Sequence, residues 1–204
     1  KRVVGLAPSE AFVEAASHNV RDQRFTCEQG NGEALPFEDD KFDLAVSGLV
    51  LNFVGDKDKA IAEMVRVVKP GGTVALYVWD YAGHMQIMRY FFDAAIELDD
   101  GAREFDDGIN APICRPEPLS SLFEEASLTD IEVENLDIPT AFKNYDDYWT
   151  PFLGGTGSAP KYCTSLTSIA QNKLKEKLRN CLPTGPDGEI LLAVRAWAIK
   201  GKVA

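Results

Sequence analysis

The stretch Trp79-Asp80-Tyr81-Ala82-Gly83-His84 gathers an acid, a phenol and an imidazole within six residues. A histidine titrating near pH ~6.5 can act as a general base close to neutrality, and an adjacent acid or phenol can orient an acceptor. The alternative is a loop in which Asp80 caps the next helix. Two further groups follow short apolar runs: Asn31-Gly32-Glu33, and Ser47-Gly48-Leu49 with Asn52 just beyond. Open α/β sheets place ligands at the carboxyl ends of their strands, where all these residues fall, although a turn glycine or a polar helix start explains some of them equally. Tyr145, Tyr148, Trp149 and Phe152 have helical spacing. They either roof an apolar substrate or belong to a core.

The elements that must position these groups can be read from periodicity. Val3 to Leu6 is an apolar, β-branched run, Ala7-Pro8-Ser9 turns the chain, and an amphipathic helix follows from Glu10. Arg24 to Asn31 is a second strand, "EALPF" an irregular segment, and Phe42 to Ser47 a third strand. Asp58 to Val68 places Ala60, Ile61, Met64, Val65 and Val68 on one helical face, and "KPGG" ends that helix. Thr73 to Trp79 is continuously apolar, as in a strand buried on both faces of a parallel sheet. Later come a helix over Met85 to Leu98, a loop-rich stretch from Ala102 to Pro118, and a short helix from Leu119 to Ala126. A strand from Leu128 to Ile138 follows, then a helix over Tyr145 to Phe152 broken by "GGTGSAP". A long helix from Ser165 to Cys181 and a strand from Glu189 to Lys200 close the chain. The turn "TGPDG" before that last strand predicts an antiparallel partner. Alternating strands and helices define an α/β, doubly wound, Rossmann-like sheet, mostly parallel, with an antiparallel C-terminal strand.

Composition narrows the function. The formal net charge is −11, which opposes a phosphate-backbone partner, so no nucleic-acid binding is expected. The basic cluster "NKLKEKLR" interleaves leucines at helical spacing and reads as a solvated helix face. No apolar run is long enough to span a bilayer and no signal-peptide pattern is present, so the expectation is a cytoplasmic protein with no membrane partner. Cys27, Cys114, Cys163 and Cys181 are far apart, form no CxxC pair, and suggest neither a disulfide framework nor a metal site.

The window from Gly30 to Asp80 carries a resemblance. Gly30-Asn31-Gly32-Glu33-Ala34-Leu35-Pro36-Phe37, Phe42-Asp43-Leu44-Ala45-Val46-Ser47 and Glu63-Met64-Val65-Arg66-Val67-Val68-Lys69-Pro70-Gly71-Gly72 are similar, in order and spacing, to the class I S-adenosylmethionine-dependent methyltransferases of the type 11, menaquinone-biosynthesis-like group. The segments "YDDYWTPFLGGTGSAPKY" and "LPTGPDGEILLAVRAWAIKG" look like one bacterial branch of that group. The resemblance implies S-adenosylmethionine as cofactor, with Ala7, Asn31, Gly32, Glu33, Ser47, Gly48 and Leu49 on the cofactor side. It implies a small-molecule substrate, with Asn52, Trp79, His84, Tyr148 and Trp149 on the substrate side. A single domain over residues 1–204 is expected, with substrate-side insertions at 85–125 and 140–182. A dehydrogenase is disfavoured, since no GxGxxG is present.

The chain also departs from that pattern. The family's first strand and its glycine-rich loop would precede "VVGLAPSEAFVEAA", which matches the second strand and the helix after it. Ala7 stands where the family usually has an aspartate accepting from the ribose hydroxyls, and Asn31 where an aspartate is usual at the adenine. These departures imply weakened or lost cofactor binding and activity. They leave as the other reading a noncatalytic assembly or small-ligand module on a degenerate methyltransferase fold. Without a first strand, either the neighbouring strands close on each other, or a second chain supplies the missing pairing, or an N-terminal segment absent from this sequence belongs there; a compact rearrangement with homodimerisation as its companion is the expectation.

Overall fold

A computed structural model describes residues 1–154 and 156–204; Gly155, within the stretch "GGTGSAP", lies outside them. The strands are β1 (Val3–Ala7), β2 (Phe25–Gln29), β3 (Phe42–Gly48), β4 (Val68–Trp79), β5 (Thr129–Phe142) and β6 (Ile190–Lys202). The helices are α1 (Glu10–Asn19), α2 (Lys57–Val67), α3 (Gln86–Leu98), α4 (Asp107–Asn110), α5 (Pro116–Glu125), α6 (Tyr145–Trp149), α7 (Ser158–Ser165) and α8 (Ser168–Cys181). β1 and β2 form a parallel two-stranded sheet, with Val3 opposite Phe25 and Ala7 opposite Gln29. The other strands form a sheet in the order β3-β4-β6-β5. Asp43 near the start of β3 pairs with Lys69 near the start of β4, so these two run parallel. β6 runs against its neighbours: Gly71 donates to Val203 while Asp80 donates to Arg195, and Lys200 meets Glu132 while Arg195 meets Asp137. The result is a Rossmann-like α/β fold with an antiparallel C-terminal strand.

The chain divides into two compact units, one of residues 1–76, 119–133 and 199–204, the other of 77–118 and 134–198. In the first, α2 starts at Asp56, whose carboxylate accepts from Lys59 N–H at 3.0 Å, a side-chain cap for an otherwise orphan donor. It buries Ala60, Ile61 and Val67. The helix ends one residue earlier than the periodicity predicts, and "KPGG" is the first turn of β4 rather than a mere stop. The residue before a proline is driven out of the helical region, so Lys69-Pro70 extends the chain. Gly71 then takes φ +75, a conformation costly for any side chain.

One expectation about the sheet is overturned. β1 and β3 do not close on each other; they belong to separate sheets. The link from the turn after β2 to the residues beyond β3 is a side-chain one, Glu33 accepting from Gly55 N–H and Asp56 N–H, and not strand pairing; Val3, Leu44 and Val46 are 57%, 53% and 59% exposed.

The second unit is built on an aromatic core. Phe91 and Phe152 stack at 4.5 Å, Phe142 meets Tyr148 edge-on at 5.3 Å, and Leu174 and Leu178 of α8 pack with them. Three segments differ from the sequence reading. The helix foreseen from Ser165 begins at Ser168, because Thr167 caps α8 by accepting from Ala170 N–H at 3.3 Å, and a separate helix, α7, ends at Ser165. The helix foreseen through Phe152 changes to a tighter 3-10 turn at Thr150–Leu153, where Pro151 lies in the first turn. The loop-rich stretch holds a 3-10 turn, Asp100–Phe105, and α4, tied down by the ion pair of buried Asp106 with Arg89 at 2.7 Å.

This core sets an expected outcome. Phe91→Ala should lower unfolding stability by about 3 to 5 kcal/mol, and Tyr148→Phe by about 1 kcal/mol through loss of one buried hydrogen bond, read from urea midpoints monitored by tryptophan fluorescence.

Candidate functional site

In the first unit the candidate cofactor residues occupy the carboxyl ends of β1, β2 and β3. Ala7 ends β1, and its carbonyl accepts from Gly30 N–H at 3.0 Å. Its methyl side chain supplies no acceptor for a sugar hydroxyl. After β2 the chain folds back at once: the Asn31 side-chain oxygen accepts from Glu33 N–H at 2.9 Å, and the Asn31 carbonyl accepts from Ala34 N–H at 3.1 Å. The Asn31 amide N–H2 makes no hydrogen bond among the described residues. A Cβ added to Gly32 would meet nothing within 4 Å, so the space beside this turn is open.

Glu33 is half-buried in this turn. One carboxylate oxygen accepts from Gly55 N–H and from Asp56 N–H, each at 3.1 Å. It ties the turn after β2 to the residues leading into α2. Ser47, Gly48 and Leu49 are half-buried at the end of β3, and Leu49 adopts φ +58. Asn52 lies in the 3-10 turn Leu51–Phe53 that follows, also half-buried.

Sequence reading missed two residues of this unit. Glu63 accepts from Leu35 N–H at 2.7 Å, and Arg66 reaches the same segment with its whole guanidinium. Arg66 donates to the carbonyls of Phe37 (2.7 Å) and Leu35 (3.1 Å), to Asp39 (2.7 Å), and to both oxygens of Glu63 (2.7 Å each). All five guanidinium N–H groups are thereby used. The Arg66 hydrogen bond and charge hold the Glu63 carboxyl below its ordinary range, reinforced by the Leu35 N–H, and the two carboxylates raise Arg66. The available signal was the Glu63, Arg66 spacing of three residues on a helix that follows an irregular segment needing partners for its backbone.

In the second unit Trp79 is half-buried at the end of β4. Asp80 is buried, and its carboxylate accepts from Gly83 N–H at 3.0 Å and His84 N–H at 2.8 Å. It closes a turn ahead of α3. A Cβ on Gly83 would sit 2.6 Å from that carboxylate, so only glycine permits the close approach. Burial, with Asp107 and Cys114 nearby, pushes the Tyr81 phenol up to about 12, so it holds its proton at neutral pH. The His84 ring is exposed, while its carbonyl accepts from Arg195 N–H at 3.1 Å. Of the triad suggested by spacing, His84 is the group with a free, accessible ring. Tyr148 and Trp149, expected on the substrate side, lie inside the aromatic core at 1% and 3% exposure. Tyr148 donates to the Ile87 carbonyl at 2.9 Å, and burial raises its phenol far above the ordinary value. Packing, with the hydroxyl satisfied internally, is the alternative that the spacing had left open.

No group of three or more His, Cys, Asp or Glu among the described residues is arranged to hold a metal ion. No helix among them is long and apolar enough to cross a membrane.

The fold is that of the class I S-adenosylmethionine-dependent methyltransferases, and the first third of the chain is similar to that family in sequence. Residues 1–76 match the methyltransferase domain of the type 11 group. A ubiquinone/menaquinone biosynthesis C-methyltransferase UbiE of Shewanella piezotolerans is 46% identical over 65 residues, covering 32% of this chain and 26% of that protein. An uncharacterized protein of Mycobacterium tuberculosis is 41% identical over 56 residues, covering 28% of this chain and 20% of that protein. The match thus spans about a quarter of the curated relatives' length. Among solved structures, the YcgJ protein of Bacillus subtilis superposes with a TM-score of 0.61 at 20% identity, covering 98% of this chain and 82% of that one. A putative methyltransferase of Bacillus halodurans gives 0.61 at 17% identity, covering 99% and 83%. These two likenesses are of fold.

The Glu63 carboxyl sets the sign of a pH effect. Its native pKa lies below the ordinary value of 4.5, so the stability it contributes is complete above that value and is lost as pH falls through the lowered native pKa. Glu63→Gln should therefore lower stability at neutral pH and flatten the acid limb of a plot of urea midpoint against pH; an unchanged acid limb would remove the assignment.

Proposed function

We propose that the chain is an S-adenosylmethionine-dependent methyltransferase acting on a small molecule, with cofactor affinity reduced at the ribose position. The observation that carries the reading is the strand-end turn at Asn31 to Ala34, whose free amide and open side at Gly32 leave room for a planar base. The Asn31 side-chain oxygen has given one of its two acceptor sites to Glu33, so the other remains for an exocyclic amine. Ser47, Gly48 and Leu49, at the end of β3, complete the proposed cofactor set in this unit, and Asn52 just beyond them is proposed on the substrate side. Bound there, the cofactor supplies an electrophilic methyl group for in-line displacement. Within the other unit, the His84 ring is exposed and Trp79 is half-buried, while Tyr148 and Trp149 lie in its core. The printed names of relatives, a quinone-pathway C-methyltransferase and a phosphoethanolamine N-methyltransferase, favour a small acceptor.

Ala7 is the weak point. A charge-assisted contact to ribose is worth about 1.5 to 3 kcal/mol, on the order of ten- to a hundredfold in affinity. Titration calorimetry with S-adenosylhomocysteine should give measurable binding, and Ala7→Asp should tighten it by roughly tenfold or more. Absence of heat from both proteins at millimolar ligand would sink the cofactor reading.

A second reading, assembly through the sheet, is favoured by one observation. β5, at the edge of its sheet, is blunted by Pro139 and the exposed carboxylates Glu134 and Asp137, as edge strands usually are. β1 carries no charge along its whole length, and β3 exposes Leu44 and Val46. We accordingly propose a homodimer that covers these apolar residues. Light scattering should give twice the chain mass for the wild type and a shift to the monomer mass for Val46→Lys; a monomeric wild type at tens of micromolar would refute it.

A further inference from the structure

The segment from Asn31 to Phe37 has no regular secondary structure of its own, yet it is gripped by two separate side-chain constructions. At its start, the Glu33 carboxylate holds the backbone N–H groups of Gly55 and Asp56, the residues just before α2, at 3.1 Å each. At its end, Glu63 and Arg66 from the later turns of α2 hold the Leu35 N–H (2.7 Å) and the carbonyls of Leu35 (3.1 Å) and Phe37 (2.7 Å). Pro36 has no N–H to offer, so the only backbone donor between Ala34 and Phe37 is the Leu35 N–H that Glu63 takes. The three groups held at the end of the segment are matched by a carboxylate and a guanidinium that also neutralise each other.

From this geometry we propose that Glu63 and Arg66 are positioning residues for the cofactor: they fix where the turn carrying Asn31 and Gly32 stands, without touching the ligand. The proposal rests on the cofactor reading above. A guanidinium whose five donors are all engaged cannot shift without breaking several bonds together, so the segment has one position rather than a range. A binding turn held in one position loses less freedom when a ligand arrives, and affinity gains by that amount. The pair therefore acts on binding more than its share in global stability requires. Arg66→Lys keeps the charge but replaces the planar fork with a point donor, and cannot serve two carbonyls and two carboxylates at once.

The test compares three single variants with the wild type by titration calorimetry with S-adenosylhomocysteine, alongside thermal unfolding and amide hydrogen exchange. Arg66→Ala should weaken affinity by about tenfold and Arg66→Lys by several-fold, with faster exchange at the amides of Glu33, Ala34, Leu35 and Phe37. Ile61→Val trims the buried face of the same helix, where Ile61 has no exposed surface; it should lower the melting temperature while leaving affinity within about twofold of the wild type. An Arg66 variant that binds as well as Ile61→Val at a similar loss of stability would overturn the proposal, since the clamp would then be structural only. A wild type that binds no cofactor would overturn the cofactor reading and this inference together, and it would be recognised before any variant is compared.

Discussion

The Arg66 guanidinium is the constraint on which the first unit depends. An irregular segment placed against a helix must find partners for its backbone groups, because an amide or carbonyl withdrawn from water without one costs on the order of 1 to 3 kcal/mol. The segment from Leu35 to Asp39 has no strand beside it to supply those partners. Arg66 and Glu63 supply them from one helix face, at 2.7 to 3.1 Å, with every guanidinium donor used. α2 can carry this load because Asp56 caps its start and Ile61 and Val67 are buried along it. The same helix then delivers the chain into β4, so the connection between β3 and β4 and the fixing of the strand-end turn are one construction.

The second unit solves a different problem by a different means. Its helices are rich in aromatics, and large rings must be buried with their polar tips satisfied. Tyr148 does this by donating to Ile87, Tyr145 by donating to Lys175 at 2.5 Å, and Tyr162 by donating to Asp99 at 3.0 Å. Each hydroxyl closes on a different element, so the rings lock α6 and α7 to α3, α8 and the residue after α3 as well as filling space. That is why aromatic spacing alone did not separate a ligand roof from a core. The pattern on α6 is the same in both cases, and the difference lies in whether the hydroxyls find partners inside the protein.

Much of the fold was legible because it rests on local rules. Strand runs, the α2 periodicity and the antiparallel last strand follow from side-chain patterning over five to fourteen residues, and the proline after Lys69 forces extension at once. What could not be read were roles assigned by distant neighbours. Glu33 was placed on the cofactor side by its motif position, and no spacing showed that one of its carboxylate oxygens accepts from backbone N–H groups 22 and 23 residues away. Asp80 looks like an acid beside a histidine, and its oxygens are spent on a turn that the nearby glycine makes possible. The Glu63–Arg66 pair lay in plain sight, but its target is 28 to 31 residues upstream. Spacing identifies which groups exist; only tertiary structure says which of them are already occupied.

Leu49 shows how the same distinction applies to strain. A branched side chain at φ +58 costs about 1 to 2 kcal/mol, and such outliers cluster at functional sites. Here the local packing offers a sufficient cause. The reversal at Leu49 leads into the 3-10 turn that carries Leu51 to 3% exposure, and burying a leucine is worth about 1.5 to 3 kcal/mol. The gain from Leu51 covers the strain at Leu49, so the bend at the end of β3 belongs to the fold itself. The turn at Asn31 needs the opposite explanation: it buries no side chain of its own, leaves Gly32 facing open space and an amide unbonded, and is nevertheless held from both sides. Rigid support for a turn that contributes nothing to the core is what the proposed cofactor reading asks of Asn31 and Gly32, whereas the strain at the end of β3 is already accounted for by packing.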